Sequence, residues 1–238
     1  MVVRSYGHNA FRHSNRWTDS KTFMIGELVL FGLILLADKY HWHHLIRINK
    51  IPYLFLLGWL SLGLRGQNWQ SVGLGLYRSW RSTLALGVLL GIGNELLELF
   101  ITQPLLVRVL HKWPDLSRLR PLVGNSNWFA LALLFTWTIA AFGEELVYRG
   151  YLMNRLADLC GRTRTGWALS LILTSIVFGI GHFGQGSVGQ IENVIGGILL
   201  ATFYLVCGRK LAVPIVAHGV QDTVDVLLIF LGKYPGGL

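Results

Sequence analysis

Seven apolar stretches, at about residues 22–37, 51–64, 82–104, 126–149, 165–185, 190–207 and 211–231, occupy most of this 238-residue chain. Any one of them could be a buried helix of a soluble domain. Seven in succession leave too little polar sequence to cover them. A membrane span needs about 20 predominantly apolar residues, and a helix satisfies its own backbone groups in lipid. The pattern therefore predicts an all-α fold, a polytopic transmembrane bundle of about seven to eight helices. The second stretch is short for a full span and reads as re-entrant or tilted together with its flanks. Composition agrees: charged residues make up 14% of the chain, against about 25% in soluble domains, and the mean hydropathy is +0.49. Disorder is excluded by an apolar content of 53%.

Residues 1–21 form a polar, basic segment carrying Arg4, Arg12, Arg16 and Lys21. No small-residue cleavage site closes the first apolar run before Asp38, so that run reads as a retained span. Residues 22–238 read as one membrane-embedded domain without internal repeats or long linkers. Trp17, Trp42, Trp69, Trp80, Trp113, Trp128 and Trp167 stand at or near segment edges, as interfacial aromatic belts require. Gly87–Gly93 reads as close helix packing rather than a loop. The net charge of +9 collects in polar turns, which suits anionic lipid headgroups and not nucleic acid. Lys and Arg set the membrane orientation only weakly. Cys160 and Cys207 make no metal-type spacing and read as free thiols. The location expected is integral and multi-pass, in a bacterial inner membrane.

The acids mark the chemistry. Glu27, Glu95, Glu98, Glu144, Glu145, Glu192, Asp222 and Asp225 all lie within apolar stretches. A charge at the bilayer centre costs about 2.5–3.5 kcal/mol on insertion scales, so each is a functional candidate. In Phe142-Gly-Glu144-Glu145-Leu-Val-Tyr-Arg149, helical spacing puts Glu145 and Arg149 on one face, where they can neutralise each other. Glu144 points about 100° away. Without a helical counter-ion it can serve as a general base or acid. The structural alternative is an ordinary surface ion pair. Phe178 and His182 are again four apart, and a lone membrane histidine is also commonly a hydrogen-bonded core residue. The polar turn at Gly161–Thr165 lies midway between Glu144 and His182. An antiparallel hairpin would bring the two to similar depth, roughly 27 Å from that turn. His218 and Asp222 form a third pair at the same spacing, about 12 Å beyond Lys210. They can bind a water, hold an oxyanion or ligate a metal; a local structural hydrogen bond is the plainer reading.

Taken together, Glu144-Glu145-x-x-x-Arg149, Phe178-x-x-x-His182 and His218-x-x-x-Asp222 resemble the CAAX-protease and bacteriocin-processing (CPBP) family of intramembrane endopeptidases, which includes the type II CAAX prenyl endopeptidases. The resemblance covers a core of about residues 125–231. It implies a site in a water-filled cavity. Glu144 and His182 would activate the attacking water. His218 and Asp222 would stabilise the tetrahedral oxyanion, and Glu145, Arg149 and Phe178 would support the site. Asp222 stands where many members carry Asn. An ionised Asp repels an oxyanion, so Asp222 must be protonated or act by orienting His218; the second is expected here. No cofactor is expected. The alternative is Zn2+ on Glu144, His182 and His218, an open His2Glu set without an HExxH motif.

The expected substrate is a peptide bond in a lipid-modified C-terminus, a peptide precursor or a membrane-protein segment, with membrane lipids as surroundings. Two other classes compete. One is a proton-coupled transporter using Glu95, Glu98, Glu144 and Asp222, weakened by the lack of an inverted repeat. The other is a non-catalytic immunity or binding protein on a protease fold. Glu95, Glu98 and Asn94 could line the cavity. Glu192 and Asn193 read as a helix start where a carboxylate suits the dipole. Asp225 reads as packing or cavity polarity. His41, His43 and His44 read as a wet interfacial loop.

Overall fold

The computed structural model describes residues 17–40 and 49–236. Arg4, Arg12, Arg16, Trp42, His41, His43 and His44 lie outside them. The described residues fold into helices α1 (Lys21–Lys39), α2 (Lys50–Leu64), α3 (Trp80–Leu110), α4 (Ser126–Leu159), α5 (Arg164–Ile180), α6 (Gly186–Val206) and α7 (Ala212–Phe230). Strands are absent among the described residues. The helices α3, α4, α6 (with the short turn before it) and α7 are long and apolar enough to cross a membrane, while α2 and α5 are shorter. Side chains such as Leu89, Phe100, Leu134, Ile172 and Val206 stand exposed on the outer faces. This is the inverse of a soluble surface and suits lipid.

Local capping explains several boundaries. Ser20, Asn49, Ser79, Asn125 and Thr163 each accept a backbone N–H in the first turn of the helix that follows. The third apolar stretch, expected to stop near Pro104, continues to Leu110. Proline cannot donate a backbone hydrogen bond and normally breaks the ladder. Here the turn just before it, Glu98–Thr102, is π-helical, and the wider i→i+5 ladder absorbs the break.

Gly87 and Gly91 let α3 lie directly on α7. A Cβ on Gly91 would come 2.5 Å from the Ala217 carbonyl oxygen, and one on Gly87 would come 2.6 Å from Val216. This is the small-residue packing expected for the segment. Gly179 does the same for α5 against α6, where a Cβ would meet Val194 and the Gln190 carbonyl. Helices α4 and α5 form the antiparallel hairpin read from the sequence, turning over residues 160–163. The most buried part of α4 lies just past its middle: Gly143–Leu152 are buried on every side.

Candidate active site

Residues Thr136–Leu152 of α4 are π-helical for seventeen residues. Such geometry is usually a single-turn bulge, often at a functional site. The α-helical spacing argument survives this change. Glu145 Oε1 still accepts from Arg149 Nη1 at 2.7 Å, with both side chains wholly buried. The Arg149 guanidinium also donates to the Gly197 carbonyl of α6 at 3.2 Å and lies 4.5 Å from the Phe178 ring centroid. Phe178 is therefore a hub: its ring meets Tyr148 edge-on at 5.0 Å, His182 at 4.6 Å and His218 at 6.1 Å.

His182 lies just past the end of α5, in the turn before α6, and not inside a helix as the apolar stretch 165–185 suggested. Its Nδ1 is 2.8 Å from the Phe178 carbonyl oxygen. A carbonyl only accepts, so Nδ1 carries the proton and a neutral ring leaves Nε2 as an acceptor. Nε2 faces Glu144 Oε2 at 3.9 Å. That oxygen is buried and has no hydrogen-bond partner. The gap is too long for a direct hydrogen bond and suits one bridging water. Two acceptors facing each other select a water that donates one O–H to each and leaves its lone pairs outward.

On the other side of Phe178, His218 Nδ1 donates to Glu145 Oε1 at 3.0 Å. Its Nε2 stands 3.6 Å from Asp222 Oδ1, beyond hydrogen-bond reach. The hydrogen-bonded partner of His218 is thus Glu145, on a different helix. When His218 is protonated, its Nε2–H has the Asp222 carboxylate 3.6 Å away as an ion-pair partner, and the ring lines the site.

Glu144, His182, His218 and Asp222 share a cavity of about 800 Å³. One wall is apolar and includes Leu131, Leu134 and Phe135, which are also exposed on the outer surface of the bundle. The segment between α3 and α4 forms the rim through Leu116, Leu119 and Leu122. It is pinned by the Asp115 amide donating to the Gln185 carbonyl at 2.9 Å. The Asp115 carboxyl is held below its usual range because the Ser117 side chain and backbone N–H hydrogen-bond to it.

Sequence reasoning missed two cations. Lys50 Nζ donates to the Gly181 carbonyl at 2.8 Å and pairs with Asp38 at 3.4 Å, bracing the residue next to His182. Arg65 grips both oxygens of Glu27 at 2.8 Å, so Glu27 is a structural anchor between α1 and α2. These partners are 131 and 38 residues apart and leave no local pattern. Glu192 lies beyond the first turn of α6, out of reach of the dipole effect expected for it. Among the described residues no three His, Cys, Asp or Glu side chains are placed to hold one metal ion.

Residues 126–224 match the family model described as type II CAAX prenyl endopeptidase Rce1-like. That region, 99 of 238 residues, is similar to the Rce1-like family. Glu144, Glu145, Arg149, Phe178, His182, His218 and Asp222 lie within those bounds. An Rce1-like family implies a protease, and with the four spanning-length helices it indicates an integral membrane protein. No curated protein and no solved structure matches the chain.

Proposed function

We propose that the chain is an intramembrane endopeptidase that hydrolyses a peptide bond of a membrane-associated or lipidated protein or peptide. The observation that carries this reading is the Glu144–His182 pair: an unpartnered carboxylate oxygen 3.9 Å from an imidazole acceptor. A water hydrogen-bonded to both, beside the line that joins them, attacks the substrate carbonyl carbon. Glu144 takes the proton as the new C–O bond forms. The oxyanion receives the Nε2–H of protonated His218, whose other nitrogen is fixed by Glu145. Asp222 balances the imidazolium charge from 3.6 Å without occupying that N–H. As the C–N bond breaks, Glu144 returns its proton to the leaving amine. Arg149 neutralises Glu145, so the four groups Glu145, Arg149, His218 and Asp222 carry no net charge. The exposure of the apolar cavity wall on the lipid-facing surface supports a substrate that arrives from the membrane. No step needs a metal.

The test is peptide cleavage by purified protein in lipid, on a broad panel of fluorogenic and membrane peptides, beside Glu144→Gln. The expected result is cleavage by the wild type and a loss of about 10²–10⁴-fold in the variant. Equal cleavage by both overturns Glu144 as the base. Activity should survive exhaustive chelation. Restoration by zinc alone would overturn the metal-free reading.

A further inference from the structure

The same three residues, Cys-Gly-Arg, close two different helices: Cys160–Arg162 follows α4 and Cys207–Arg209 follows α6. Both turns have one geometry. The Arg162 amide donates to the Ala157 carbonyl at 2.8 Å, and the Arg209 amide donates to the Tyr204 carbonyl at 2.7 Å. The glycines, at φ +80° and +68°, make the usual left-handed helix stop. The arginines after them are left-handed as well, at +52° and +60°. A side chain at such an angle carries a steric cost that glycine does not. The turn itself therefore does not ask for arginine. A cation after a helix C-terminus answers the dipole, but each arginine could do that at its own helix end.

Instead the two side chains meet. The Arg162 guanidinium lies 5.4 Å from the Trp167 ring centroid, and the Arg209 guanidinium lies 5.2 Å from the same centroid. At the start of α3 each ring takes one cation, Arg78 on Tyr77 and Arg81 on Trp80. Arg164, one turn before Trp167, and Lys210 extend the cluster, and all four cations are exposed. Their acidic complement is Asp158, which pairs with Arg162 and is shared with the buried Arg155. Among the described residues Arg164, Arg209 and Lys210 make no ion pair. Two like charges against one ring repel, and an anion beside both removes the repulsion. None of these residues lines the catalytic cavity. Trp167 precedes His182 by fifteen residues, about 22 Å along α5. The neighbours choose the anion. Leu169 and Leu173 on α5 and Val206 on α6 lie within two turns of the cluster and are exposed. A soluble anion leaves them bare, whereas a phospholipid brings acyl chains that cover them. Trp167, half-buried at a helix start, suits headgroup depth. We propose that Arg162, Arg209 and Lys210, around Trp167, bind the phosphate of an anionic phospholipid whose acyl chains lie along α5 and α6.

The test uses the full chain in detergent micelles and counts bound lipid by native mass spectrometry. The probes are phosphatidylglycerol and phosphatidylcholine with identical acyl chains. The wild type should hold one phosphatidylglycerol at least tenfold more tightly than phosphatidylcholine; equal binding overturns the site. Arg162→Gly with Arg209→Gly removes both guanidiniums at backbone angles that glycine adopts freely. The ratio should then fall to about twofold with the melting temperature near wild type. Arg162→Gln with Arg209→Gln gives the same reading if the glycine pair does not fold. A ratio that survives the loss of both arginines overturns the proposal. Arg78→Gln with Arg81→Gln removes the same amount of charge and should leave the ratio near wild type. An equal fall there means diffuse attraction to a basic surface and overturns the site. Glycerol phosphate, which has the phosphate and no acyl chains, should not displace the lipid at equal concentration. Displacement would make the ligand a soluble phosphate and overturn the lipid assignment.

Discussion

Glu27 and Glu144 are both buried carboxylates in apolar helices, with 6% and 7% exposure, yet their surroundings differ in kind. Both oxygens of Glu27 are used by one guanidinium, Arg65, which also donates to the Ser61 hydroxyl and the Thr18 carbonyl. Glu144 has one buried oxygen with no partner, turned toward a histidine and a cavity. Burial alone does not separate a structural acid from a chemical one. The accounting of each oxygen does: a saturated carboxylate holds helices together, and an unsaturated one beside a cavity is available for proton transfer.

The contrast is sharpest in paired substitutions. Glu144→Gln should lower turnover by about 10²–10⁴-fold and leave thermal stability in detergent close to wild type. A large drop in melting temperature would place Glu144 with Glu27. Removing Arg65 as Arg65→Ala strands a buried carboxylate and should cost about 3–5 kcal/mol of stability. Turnover per folded molecule should then stay near wild type, because the partners of Arg65 among the described residues include Glu27, Ser61, Thr18 and Asp19, none of which lines the cavity; loss of turnover in the folded fraction would break the division. Glu145→Gln tests an intermediate case. It leaves Arg149 without its carboxylate and loosens His218, so both melting temperature and turnover should fall, the latter by roughly 10²-fold, the scale for one oxyanion donor. Asp222→Asn should have the smallest effect, within about tenfold, because Asp222 makes no hydrogen bond to His218. Complete loss would show that its charge is required.

The helices were legible because burial in lipid writes itself into long apolar runs. The depth of Glu144 against His182 followed from the position of one polar turn between them. The pairing of Glu145 with Arg149 was legible because both stand on one helix. The link from Glu145 to His218 was not, since it joins residues 73 apart, and the sequence offered Asp222 as the nearer partner. The π-helical ladder escaped for a different reason. It changes which backbone groups pair without changing hydropathy, and Thr136–Leu152 reads as an ordinary apolar helix. Lys50 carries no local signal of its role, because only the fold brings the Gly181 carbonyl to it.

Glu145 and Arg149 together touch three helices. Glu145 accepts from His218 on α7, and Arg149 donates to Gly197 on α6, both from α4. That arrangement makes the cluster depend on the docking of one helix. Helices α4 and α5 by themselves set Glu144 against His182, but His218 reaches Glu145 only with α7 in place. Loosening α7 would therefore release the His218 imidazole while the Glu144–His182 pair stayed assembled.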